Sequence, residues 1–343
     1  MIKEMIGKIV EGVDLSFEES KAVMEEIMEG KATEAQIASF ITALRMKGET
    51  VDEITGCVSV MREKATHINV GKSLVVDTCG TGGDAKCTFN ISTCAAFVVA
   101  GAGLKVAKHG NKASSSKCGS ADVLKLLGVN IDANTKIVEE CIQKANIGFL
   151  MAPLLHSSMK HAVGPRREIG IKTIFNILGP LTNPARATRQ VIGVYDAKLT
   201  DIVAKVLKKL NTEHAFVVYG YDGMDEITTT DKTKVCELKD GEIKSYFITH
   251  DSFGIKKAEM KDFMVNSPEE SASAITAVLD GAIGPKRDIV LLNASAAIVT
   301  GGGVGNLRDG VRIAAESIDS GRAKASLGKL IELTQNIGDA SKN

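Results

Sequence analysis

The chain has no Trp, and aromatic residues make up only 4% of it. The stacking platforms that hold single-stranded nucleic acid therefore have little to be built from. Neither charge sign is in excess, since 42 Lys and Arg balance 42 Asp and Glu. An extended nucleic-acid footprint needs a basic face, and this balance leaves room only for a small local patch. The seven cysteines, Cys57, Cys79, Cys87, Cys94, Cys118, Cys141 and Cys236, contain no CxxC pair, which supports neither a zinc site nor a disulfide framework. Reduced thiols in a cytoplasmic protein are expected. No apolar run approaches the roughly 20 residues that span a bilayer. Residues 1–12 mix Lys and Glu among their apolar positions, unlike a signal-peptide core. Nucleic acid and membrane are thus not expected partners.

What is present reads as globular: 343 residues, 44% apolar and 24% charged, enough for a large core and two domains. The first 65 or so residues read as helices alone. Ser16-x-x-Glu19, Thr33-x-x-Gln36 and Thr50-x-x-Glu53 each fit a capping box. Ile37, Phe40, Ile41 and Leu44, then Val51, Ile54, Val58 and Met61, fall on helical stripes. Gly48 ends one helix and Gly71 marks the exit from the bundle. From residue 74 strands alternate with helices: strands at 74–78, 105–107, 147–151, 190–195 and 215–219, helices at 94–102, 121–127 and 200–210. This predicts an α/β domain with a mostly parallel central sheet flanked by helices, joined to a small all-helical domain. Residues 162–184 read as helical and loop-like, broken by Pro165, Pro180 and Pro184, and return the chain to the helical domain. The expected division is 1–70, completed by about 165–185, against 71–164 with 186–343. Asp240-Gly241 is a hairpin signal and predicts an antiparallel edge. Ser267-Pro268 opens a later helix.

The chemistry lies in the turns. Asp77-Thr78-Cys79-Gly80-Thr81-Gly82-Gly83-Asp84 follows an apolar run, with neither GxGxxG nor Walker A spacing. Read as more than a tight turn, it is a diphosphate cradle in which Gly82 and Gly83 let the backbone approach oxygen atoms. Asn90-Ile91-Ser92-Thr93 opens an apolar helix. Capping alone would explain it, yet free amides there also favour an anion, and Ser92 could ligate magnesium. Lys108-His109-Gly110-Asn111 is expected to follow a strand and, with Lys112 and Ser114-Ser115-Ser116, points to a ligand site rather than a structural histidine. Gly119-Ser120-Ala121-Asp122 is a further helix start, a second phosphate contact or a cap only. Asp225-Glu226 in a glycine-rich loop is either solvated or, after the 215–219 strand, a pair that holds magnesium. Of Arg166-Arg167, Arg166 could grip a carboxylate in a bidentate pair, while Arg167 reads as surface charge.

The ordered set of these segments, with 173–184, resembles the anthranilate phosphoribosyltransferase family, of the nucleoside phosphorylase and phosphoribosyltransferase fold group, nearly end to end. The resemblance implies a helical domain joined to an α/β domain with the substrates between them, and a homodimer associating through the helical domains. It implies that Gly80, Thr81, Gly82, Gly83, Asp84, Thr88, Asn90, Ser92, Thr93, Lys108 and Ser120 contact 5-phosphoribosyl 1-diphosphate. Gly80, His109, Asn111 and Arg166 would face anthranilate, Arg166 taking its carboxylate. Ser92, Asp225 and Glu226 would hold Mg2+, two ions per active site. Lys112 stands where arginine is usual, and Cys79 and Cys118 where Val or Ser are more common.

The activity implied is magnesium-dependent transfer of the phosphoribosyl group to the amine of anthranilate, a step of tryptophan biosynthesis. Diphosphate leaves well once its charge is neutralised, so positioning and charge stabilisation matter more than a strong base. No residue is expected to act as an acid or base. A pyrimidine nucleoside phosphorylase and a non-catalytic nucleic-acid-binding relative of the same fold are the rival readings.

Overall fold

The structure is a computed structural model that describes residues 1–82, 86–112 and 118–336. The chain opens with helices Ile2–Val10, Phe17–Met28, Glu34–Lys47 and Val51–Lys64. All three expected capping boxes form, each hydroxyl accepting from the amide three residues on and each acid or amide reaching back. Glu53 does more than cap. Its buried carboxylate also accepts the Leu15 amide at 2.9 Å and Lys47 at 3.1 Å, tying three helix ends to one group. Both apolar stripes turn inward, with Val51 only half-buried.

Helices Lys160–Ile169 and Ile174–Leu181 pack against Glu34–Lys47 and Val51–Lys64 and share their apolar core. Here the sequence reading needs correction. Pro165 and Pro180 lie inside these helices rather than breaking them. Each costs its helix one N–H bond, to the carbonyl four residues back, and the packing of both helices into the shared apolar core carries that loss.

The remainder is a seven-stranded sheet: β1 Val75–Thr78, β2 Lys105–Gly110, β3 Ile147–Met151, β4 Arg189–Gly193, β5 His214–Gly220, β6 Thr233–Lys239 and β7 Glu242–Ile248. The order is β3-β2-β1-β4-β5-β6-β7, with the first five strands parallel and the last two antiparallel. The edge hairpin turns through Asp240 and Gly241 at φ 50° and 80°, as a two-residue turn with both centres left-handed requires. One correction bears on the site. β2 does not stop at residue 107 but runs through Lys108, His109 and Gly110, paired with β3 as far as Gly110 opposite Met151.

Apolar layers cover both faces of the sheet. One contains the almost wholly buried helix Ile91–Gly101 with Pro285–Thr300 and Arg322–Gln335. The other joins helix Leu199–Lys209 to the helical bundle in a single core. The strand order reverses direction between β1 and β4, and in such sheets the crevice beyond the carboxyl ends of the strands at that point receives ligands. No described helix is long and apolar enough to cross a membrane.

Candidate active site

A cleft of about 520 Å³ opens at that point. The strand ends and turns line one side; Met61, Lys160, Arg166 and Phe175, from the helices, line the other. β1 and β2 pair only as far as Val76 and Val106, while β1 stays with β4 to Thr78 and Val191. Beyond Val76 the two strands part, and Lys108 bridges the opening, its Nζ donating to the Thr78 carbonyl at 2.6 Å and to Ser92 Oγ at 3.4 Å. Burial holds the Lys108 pKa below its ordinary value.

The turn after β1 continues along β4, with the Cys79 amide on Val191 O at 3.2 Å and the Thr81 amide on Gly193 O at 2.8 Å. Gly82 takes φ 62° and donates its N–H to Asp225 Oδ2 at 2.8 Å. Thr81 Oγ1 accepts the Tyr195 amide at 3.1 Å. Gly83, Asp84 and Ser114-Ser115-Ser116 lie outside the described residues. Thr88 lines the cleft close by.

Asn90 stands at the N-cap of Ile91–Gly101, yet its side chain makes no capping bond. Its Oδ1 accepts from Ser271 Oγ at 2.7 Å and from the Cys118 thiol at 3.1 Å. Burial pushes that thiol up to about 11, so Cys118 stays protonated and donates. The helix end is instead met by Glu226, whose Oε1 accepts the Ser92 amide at 3.2 Å. Two amides poised for anions, those of Gly82 and Ser92, thus each meet one member of the acidic pair. Thr93 is the one described candidate, of those expected around the phosphates, that does not reach the cleft. It is buried, with its Oγ1 unpartnered.

The pair follows β5 and is anchored from below. Asn293 Oδ1 accepts the Ile227 amide at 2.9 Å while its Nδ2 donates to Ile227 O and Ile289 O, both at 2.9 Å. Among the described residues no group of three or more His, Cys, Asp and Glu is arranged to hold a metal. Two carboxylates and a hydroxyl suit Mg2+, which keeps most of its waters and shares substrate phosphates rather than filling an all-protein cage.

At the other end His109 is buried, and its Nδ1 donates to Gly179 O at 3.1 Å, which leaves Nε2 as a bare acceptor without a hydrogen-bond partner. The ring lies 5.2 Å from that of His156, which hydrogen-bonds the Thr182 backbone and likewise has an unpartnered Nε2. Burial drives His109 down to about 3 and His156 to about 4. Arg166 is half-buried on Lys160–Ile169, 5.0 Å over the Phe175 ring, and forms no ion pair among the described residues; Arg167 is exposed. Asn111 and Ser120 meet at the rim, the Asn111 carbonyl accepting Ser120 Oγ at 3.3 Å, and Lys112 is exposed beside them. His156, Asn293 and Gly193, which abuts Asp225, escaped the sequence reading. Only Asn293 carried a local signal, a polar residue in the middle of a long apolar helix.

The histidines set a stability profile. Unfolded, each titrates near 6.5, so as pH falls from about 6.5 to 4 the unfolded chain binds two protons that the folded chain refuses. That costs about 2.7 kcal/mol per pH unit. Asp77 has the opposite sign: burial raises it to about 6, so the folded chain gains its proton first and recovers about 1.4 kcal/mol per unit below that. The expected net result is a loss of about 1.4 kcal/mol per unit between pH 6 and 4, measured by urea unfolding across that range. A stability that instead rises by about 1.4 kcal/mol per unit as the pH falls would show that the two rings take up protons in the folded state.

The parting strands, the glycine turn, the helix N-terminus and the acidic pair together form an anion-binding α/β site faced by a helical bundle, and the class it belongs to is glycosyl transferase. The family models described as "Glycosyl transferase family, a/b domain" and "Glycosyl transferase family, helical bundle domain" match residues 72–324 and 3–65. The anthranilate phosphoribosyltransferase of Acetivibrio thermocellus is 53% identical over 337 residues, 98% of each chain. Among solved structures, the anthranilate phosphoribosyltransferase of Thermus thermophilus superposes with a TM-score of 0.91 at 37% identity, over 96% of this chain and 99% of its own. The Saccharomyces cerevisiae enzyme in complex with PRPP and Mg gives 0.89 at 28% identity, over 97% and 98%. The same yeast enzyme in complex with 4-fluoroanthranilate gives 0.84 at 28%, over 94% of each. The chain belongs to the anthranilate phosphoribosyltransferase family.

Proposed function

We propose that this cleft carries out the family's reaction, transferring the phosphoribosyl group of 5-phosphoribosyl 1-diphosphate to the amine of anthranilate. The products are N-(5-phosphoribosyl)anthranilate and diphosphate, in tryptophan biosynthesis. The observation that carries this reading is the meeting of Asp225 and Glu226 with the Gly82 and Ser92 amides at one end of a cleft whose other wall presents Arg166, which has no ion pair among the described residues.

In this reading residues 80–84, Thr88, Asn90, Ser92, Lys108 and Ser120 hold the phosphoribosyl diphosphate, without Thr93, which is buried away from the cleft. Asp225, Glu226 and Ser92 ligate Mg2+, as two ions. Bound Mg2+ would neutralise the diphosphate and make it a better leaving group. As that bond stretches C1 becomes oxocarbenium-like, and the amine attacks from the Arg166 side. Gly80, His109, Asn111 and Arg166 orient anthranilate, with Arg166 on the carboxylate. His109 offers an uncharged acceptor, which suits a neutral aromatic amine and needs no proton transfer by a strong base. A boundary near residue 70, with the helical domain completed by about 165–185, agrees with the helix packing. Exposed Val10, Val13 and Met46 support a homodimer through the helical domains. Cysteines scattered without a CxxC pair support a cytoplasmic setting.

The test is the fluorescence of anthranilate with protein, phosphoribosyl diphosphate and Mg2+, omitting each in turn. The expected result is a decay that requires all of them, with diphosphate released in step. Phosphate-dependent release of a nucleobase, with no such decay, would overturn the reading in favour of phosphorolysis.

A further inference from the structure

Three adjacent strands and one bundle helix converge on the last turn of Ile174–Leu181. Its last three carbonyls each accept a side chain from a different element, Gly179 O in addition to the Thr182 amide that caps the helix. His109 on β2 donates to Gly179 O, Gln190 on β4 to Pro180 O at 2.8 Å, and Arg62 on Val51–Lys64 to Leu181 O at 2.7 Å. Between His109 and Gln190, on β1, stands Asp77, which is fully buried. Its Oδ2 accepts from Asn183 Nδ2 at 2.8 Å, just past the same helix end. Its Oδ1 accepts the backbone N–H of His109 at 3.1 Å. That amide lies above the point where the β1–β2 ladder stops, so the carboxylate stands in for the missing ladder carbonyl. Asn183 in turn donates to Ala107 O at 2.8 Å. One carboxylate therefore fixes the gap between the parted strands from both sides, next to Lys108, whose charge it attracts.

We propose that Asp77 is a positioning residue: through His109, Asn183 and Lys108 it sets the separation of β1 and β2, and so places the phosphate-facing lysine and the His109 acceptor together. The proposal rests on the functional reading above. It explains why an acid lies buried in the sheet, out of contact with the cleft.

The test is Asp77→Asn. The new amide can still accept from His109 N–H, but it turns a donor towards Asn183 Nδ2 and removes the charge beside Lys108. Expected is a fall in kcat/KM of about 10²-fold, with KM rising for both substrates. Long-range ¹H–¹⁵N spectra should show His109 leaving its single Nδ1–H tautomer. A purely structural role would lower the melting temperature while leaving both KM values and the tautomer unchanged, and that result overturns the proposal. If Asp77→Asn does not fold, Asn183→Ala removes the partner on the helix side and leaves the Asp77 charge beside Lys108. It should show the same rise in both KM values and the same loss of the Nδ1–H tautomer, and unchanged KM values with an unchanged tautomer overturn the proposal. If wild-type protein shows no transfer, the functional reading fails, and the tautomer shift alone decides whether Asp77 positions His109.

Discussion

Replacing Asp225 and Glu226 together by Ala is expected to leave a folded protein that turns over at least about 10³-fold more slowly at saturating Mg2+. The fold should survive because both side chains are only half-buried at the cleft, and the backbone beneath them is held independently by Asn293. The Gly82 and Ser92 amides lose an acceptor, but both border the open cleft, where water replaces it. The melting temperature should therefore stay within about 2 °C of wild type. Turnover should collapse because, among the described residues, these two adjacent carboxylates are the strongest magnesium-attracting groups bordering the phosphate end, and Ser92 alone offers one neutral oxygen. The measurement is kcat against Mg2+ concentration, with a thermal melt on the same preparation. Retained magnesium-dependent turnover would remove both residues from the metal site.

Much of the fold was legible because local chemistry dictated it. Ser16, Thr33 and Thr50 announced helix starts with their own side chains, and Asp240-Gly241 could adopt the left-handed pair that a two-residue hairpin demands. The errors have a common origin in partners far away in sequence. Lys108 and His109 look like loop residues because they are polar, yet they are strand residues whose burial is made tolerable by Thr78, Gly179 and Asp77. Pro165 and Pro180 look like breakers, but their short helices are held from outside, Pro180 O by Gln190. At the site, Asn90 reads as a helix cap, and that cap bond does not form. Its side chain instead spans 181 residues to Ser271, and no periodicity signals such a bond. Gly193 is another such case, an ordinary glycine at a strand end until Asp225 is seen against it.

Gly193→Ala is expected to lower kcat/KM by about 10²-fold or more, although it adds a single methyl group about 30 residues away in sequence from the acids it disturbs. A Cβ built on Gly193 would stand 1.5 Å from the backbone oxygen of Asp225 and 2.4 Å from its carbonyl carbon. No rotamer change relieves a clash with backbone. Either the end of β4 or the segment carrying Asp225 must retreat by more than about 1 Å. β4 is locked between β1 and β5, Gly193 itself pairing with Val218, so the segment after β5 is the one that moves. With it goes the Asp225 carboxylate, which reaches Gly82 N at 2.8 Å and would lie within 2.6 Å of any Cβ on Gly80. The stability cost should be about 1–3 kcal/mol, the usual range for overpacking, which a chain of this size survives. The separating measurement is activity at a temperature where urea unfolding shows the variant fully native. A large loss there, with the Mg2+ requirement shifted to higher concentration, places the fault in the acidic pair. Near-wild-type turnover would mean that the segment yields without consequence and that its closeness to the glycine turn is not what organises the metal.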